Sequence, residues 1–162
     1  MADQAASVAV QFEYWELARV LVPAALVMIG WFFVSRDNDK RETRKEKRQF
    51  LDRTIKLLED IQGDSVSYFL TDDQAEAQKL SSKIDPALMR VETALSHLKL
   101  PGGQGACIDA TVVRDKVTGH NAWRAAQKTA LAPDCVTIYQ VNVAFAELIA
   151  SLEAAYAKTF QK

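Results

Sequence analysis

Apolar residues fall into two regimes along this chain. From Leu17 to Val34 they crowd together without a polar stripe, and from Phe50 onward they recur every three or four residues. In the first regime Val20, Leu21, Val22, Leu26, Val27, Met28, Ile29, Phe32 and Phe33 cover every side of a helix, and Arg19 is the one charged residue among eighteen. At a rise of about 1.5 Å per residue the stretch is roughly 27 Å of helix, close to the ~30 Å of a bilayer's hydrocarbon core. The pattern predicts a transmembrane helix over 17–34, preceded by a short extracytoplasmic tail, 1–16. Tyr14 and Trp15 at one end and Trp31 near the other supply amphipathic rings for the headgroup level. Arg19 lies one turn inside, where its aliphatic stem lets the guanidinium snorkel outward. Pro23 falls in the first turns of the span, a tolerated position in membranes. Residues 1–16 contain no Lys or Arg, and Ser-Arg-Asp follows Val34 where a cleavage site would need small residues. A cleaved signal peptide is therefore not expected.

Residues 35–49 contain no apolar side chain. Such a run has no face to bury in lipid and does not lie along a membrane. Opposite charges at helical spacing, such as Asp37 with Arg41, predict a solvated helical stalk instead. Seven basic residues fall within 36–48, with Arg36, Lys40 and Arg41 nearest the span, and none precedes Arg19. The positive-inside rule then places the N-terminal side outside and the remainder in the cytoplasm, so a single-pass protein of the inner membrane is expected.

The second regime predicts an all-α domain over 50–162, an antiparallel bundle of three long helices and one short one. The first carries Leu51, Ile55 and Leu58 on one stripe, with Phe50, Leu57 and Ile61 beside it, and continues through Val66 and Phe69 to Leu70. Asp72 or Asp73 suits the N-cap of the second, with Glu76 placed for a capping box. Ala77, Leu80, Ile84, Leu88, Val91, Leu95 and Leu98 keep their phase across Pro86, which favours one kinked helix over two. The loop Leu100-Pro101-Gly102-Gly103-Gln104-Gly105 ends it. Residues 106–118 suit a short helix with Ile108, Val112, Val113 and Val117 inward, closed by Gly119 as a left-handed residue. A polar connector holds Trp123, expected to plug the bundle's end. The last helix, from Pro133 or Asp134 to about Phe160, bears Ile138, Val141, Phe145, Leu148, Leu152 and Ala155. That stripe normally packs within its own chain; the sharper alternative makes Ile138, Val141, Phe145, Leu148 and Leu152 a seam for a partner or a second copy.

Charge narrows the partners. Residues 36–56 carry nine basic and five acidic groups, whereas 57–162 carry ten and thirteen, so the folded part is mildly acidic. A nucleic-acid binder shows the reverse, and no nucleic acid is expected. Cys107 and Cys135 form no CxxC pair, and with His97 and His120 they match no zinc spacing. The glycines of 102–105 follow no strand and lack a following Lys-Ser/Thr, so they make no phosphate loop. No nucleophile elbow, HExxH or dinucleotide fingerprint occurs. Neither cofactor, metal nor catalysis is expected. What remains is a membrane-anchored interaction protein, an adaptor or accessory subunit, with the bilayer and a protein as partners. The alternative is a membrane-active effector, of exclusion or pore type, whose span oligomerises and whose bundle regulates it.

Overall fold

The computed structural model describes the backbone of residues 2–102 and 106–160, and their side chains except those of 2–18, 20, 37, 39 and 40. The chain is all-α. Its described residues form α1 (Ala2–Leu70), α2 (Gln74–Leu98), α3 (Thr111–Thr118) and α4 (Val136–Phe160), with an isolated bridge between Pro101 and Cys107 in place of any strand. It divides into two compact units, Met1–Lys45 and Glu46–Lys162. The division falls inside the charged run, slightly before the domain start expected at residue 50.

The first unit is helical wherever its backbone is described. Its large apolar side chains from Leu21 to Val34 are all exposed, from 53% at Ile29 to 73% at Trp31. Among the described residues no helix is long and apolar enough to cross a membrane. Within 17–34 the side chains of Leu17, Ala18 and Val20 lie outside the description.

The second unit is a bundle whose three long stripes all repeat at three and four residues. On α1 the buried positions are Leu51, Thr54, Leu58, Ile61, Ser65, Tyr68 and Phe69; on α2 they are Ala77, Ser81, Ile84, Leu88, Val91, Leu95 and Leu98. On α4 they include Ile138, Val141, Phe145, Leu148, Leu152 and Ala155. The stripe on α1 therefore runs through Thr54 and not Ile55, which is half-buried, and Phe50 stays at the margin. Polar residues fit this seam because each hydroxyl donates to a carbonyl of the preceding turn: Thr54 Oγ1 to Phe50 O at 2.9 Å, Ser65 Oγ to Ile61 O at 2.7 Å, and Ser81 Oγ to Gln78 O at 3.0 Å. Direction follows from pairs between helices. Arg48 meets Glu153 and Gln62 meets Asn142, so α4 runs antiparallel to α1; Lys83 meets Asp64 across the α1–α2 hairpin.

The ends of the helices show where local chemistry decided. Asp73 caps α2 by accepting from Ala75 N–H at 2.9 Å. The expected capping box is rerouted, because Asp73 N–H donates to Thr71 Oγ1, whose hydroxyl donates to Glu76 Oε2. Pro86 sits within an uninterrupted α2; it is exposed, as is Ser82, whose carbonyl loses a donor, so water can replace the missing bond. The left-handed residue expected at Gly119 is absent there: Gly119 has φ −82° and donates to Asp115 O at 2.9 Å. Lys99 takes that conformation at the end of α2, with φ 48°. On α3 only Val113 and Val117 face the core; Val112, expected inward, is 59% exposed, because it lies about 100° around the helix from that stripe.

Candidate functional site

The residues expected at a membrane surface are placed in part. Trp31 is exposed, as are Arg19, Arg36 and Arg41, while the side chains of Tyr14, Trp15 and Lys40 lie outside the described residues. The five residues offered as a seam are placed fully, and they make no seam on the surface. Val141, Phe145 and Leu152 are completely buried, and Ile138 and Leu148 nearly so. Their apolar area is already removed from water by the chain's own helices, which leaves nothing for a second copy to cover.

Among the bundle's exposed apolar side chains are Met89 on α2, Val112 on α3 and two on α4. Val136 and Tyr139, one turn apart at the start of α4, are each 68% exposed. Lys116 Nζ donates to Gln140 Oε1, so α3 runs alongside α4. Between them, and bordered by Pro101, Gly102 and residues 106–109, opens a groove of about 520 Å³. Val112, Ala144 and Leu148 form its apolar wall; Asp109, Glu147 and Lys158 supply charge. Cys107 opens on the same groove and is an exposed free thiol, while Cys135 is half-buried.

A second cluster forms at the end where α1 meets α2. There the connector from His120 to Cys135 folds over the paired rings of Tyr68 and Phe69. Leu131 N–H donates to Phe69 O at 2.9 Å, and Tyr68 Oη both donates to Ala122 O and accepts from Arg124 N–H. His120 Nδ1 accepts from Ala122 N–H, so the neutral ring carries its proton on Nε2, which donates to Thr137 Oγ1 at 3.1 Å. The imidazole thus fastens the connector to α4 and does not cap α3. Trp123 lies against Tyr68 with ring centroids 4.5 Å apart and planes tilted by 49°, in the plugging position expected of it. His97, on an exposed face of α2, takes no part.

Lys128 is the unusual member. It is only 8% exposed, and its ammonium sits 3.8 Å over the Tyr68 ring and 5.5 Å from that of Phe69. Its backbone N–H donates to Gln74 Oε1 at 3.0 Å, but Nζ has no hydrogen-bond partner. Burial lowers its pKa below that of an ordinary lysine. Nothing in the sequence marks this residue, since Gln127-Lys128-Thr129 reads as a solvated connector. Among the described residues no three His, Cys, Asp or Glu side chains gather as metal ligands.

No family model, no curated protein and no solved structure matches this chain.

Proposed function

We propose that this is a single-pass membrane-tethered interaction protein, an adaptor or accessory subunit, which offers its all-α domain to a protein partner on the cytoplasmic side of the inner membrane. One observation carries the reading: every large apolar side chain described between Leu21 and Val34 is more than half exposed. A water-exposed apolar surface of this extent is unstable without a cover, and one that encircles a helix calls for a solvent of the same kind, the lipid tails. The sequence continues the same character back to Leu17 and follows it with basic residues. Arg36, Lys40 and Arg41 then lie at the cytoplasmic surface, with Tyr14, Trp15 and Arg19 toward the other face. The partner reading is supported by Val136 and Tyr139, whose exposed apolar area stands outside the core. No reaction is proposed for the domain.

Membrane fractionation of full-length protein, with and without residues 17–34, tests the tether. The full chain should resist alkaline extraction and require detergent, and the deletion should release it. Full-length protein in the soluble fraction would end the reading. Crosslinking in mild detergent tests the partner. A specific protein should be captured by the wild type and lost with Val136→Asp plus Tyr139→Asp. If liposomes carrying only this protein leaked ions, the effector alternative would take its place.

A further inference from the structure

The Lys128 cluster has a feature that the tether does not explain. A buried ammonium is ordinarily paired, because removing it from water without an acceptor is costly. Here the Tyr68 face supplies part of the compensation through a cation–π contact. No carboxylate lies within ion-pair reach of Nζ among the described residues, and no acceptor meets it. Beside it lies a cavity of about 420 Å³, lined by Lys128 and by the Tyr68 ring under its ammonium, together with Arg124, Gln74 and Gln78. The lining holds two cationic side chains and no carboxylate. Asp85, which pairs with Arg124, stands outside it. The Gln74 Oε1 atom accepts from Lys128 N–H, which leaves the Gln74 amide N–H groups as donors. Arg124 is held in a left-handed backbone conformation, φ 51°, by its N–H bond to Tyr68 Oη at 2.6 Å.

We infer that this cavity is a binding site for a small oxyanion, a carboxylate or a phosphoryl group. Lys128 is its principal ligand, and Arg124 and the Gln74 and Gln78 amides are secondary donors. The anion supplies the acceptor that the ammonium lacks, and in a water-poor site that charge-assisted bond is among the stronger polar contacts available. Lys128 engages it when its terminal torsion turns from the ring face to the cavity. In the occupied state the anion accepts from the ammonium and ties the connector to α2.

The test uses the full-length chain in mild detergent at constant ionic strength. Inorganic phosphate and acetate are titrated separately against chloride, and tryptophan fluorescence, to which Trp123 against Tyr68 contributes, is followed. At least one of the two anions should give a saturable change, weakened about tenfold or more in Lys128→Met, which keeps the apolar stem. Response to phosphate alone assigns a phosphoryl ligand; response to acetate alone assigns a carboxylate. In the wild type the same anion should slow acylation of the Lys128 amine, read by mass spectrometry. That readout stands even if Lys128→Met folds poorly. A chloride-like response to both anions, equal binding by a folded Lys128→Met, or an unprotected Lys128 amine would each overturn the assignment.

Discussion

Lys128 shows how much one side chain can alter the stability of a small bundle. Its ammonium is charged in both the folded and unfolded chain below its lowered folded pKa, and there the folded state bears the whole desolvation cost. As pH rises from that value toward the ordinary lysine value, about 10.4, the folded amine loses its proton first and the cost disappears. Wild-type stability should therefore rise relative to Lys128→Met across that window. Urea unfolding of both proteins at a series of pH values checks this, and parallel curves would refute it. Two backbone positions make a sharper pair. A Cβ on Gly119 would stand 2.6 Å from Asp115 O, so Gly119→Ala should lose roughly 1–3 kcal/mol. Lys99 holds a left-handed conformation that glycine adopts freely, so Lys99→Gly should gain about 0.5–1 kcal/mol. Thermal melts of the two variants should move in opposite directions.

Among the helices, apolar seams carry the fold and polar pairs orient it. Phe145 is fully buried on α4, and truncating it to alanine should cost roughly 3–5 kcal/mol through lost burial and the cavity left behind. The fork between Arg48 and Glu153, with N–O distances of 2.8 and 3.0 Å, is the best-formed ion pair between α1 and α4. The hydrogen bond to Glu153 is the main cause of the raised Arg48 pKa. Both side chains remain about 40% exposed, however, so solvent screens the pair. Glu153→Gln should cost at most about 1 kcal/mol, less at high salt. Because the folded pKa of Arg48 is raised, its contribution is complete below the ordinary arginine range and does not vary near neutrality. Denaturation of the two variants ranks the effects; a larger loss for Glu153→Gln than for Phe145→Ala would reverse the account.

For the molecule as a whole, the two units solve different problems of solvation. The Glu46–Lys162 unit buries its stripes against each other, so residues 46–162 should behave as a folded monomer in water. Sedimentation of that fragment at high concentration checks this, and a stable dimer would show that a face outside the core also associates. The apolar helix of the other unit has no such internal cover over Leu21–Val34, and its solubility in full-length protein should depend on detergent or lipid.

Much of this was legible along the chain. The all-α class followed from apolar spacing, because helices need only local hydrogen bonds and a stripe to bury. The Asp73 cap and the long helices ending at Leu70, Leu98 and Phe160 followed from residues adjacent in sequence. The same locality makes the continuous apolarity of 17–34 a property of the sequence itself. Tertiary structure decided what depended on distant neighbours. Thr54, Ser65 and Ser81 entered the core because a carbonyl one turn away satisfied each hydroxyl, which hydrophobicity does not register. Val112 turned outward because neighbours on a helix lie about 100° apart, so the stripe of Val113 and Val117 that met the core leaves it to the side. The α4 stripe became core and not seam because the chain's own fold covers it, which depends on residues far away in the sequence. Lys128 lies more than fifty residues from Tyr68 and Gln74 in the chain, and only the folding of the connector onto the bundle end brought its ammonium over an aromatic ring and beside a cavity without a carboxylate.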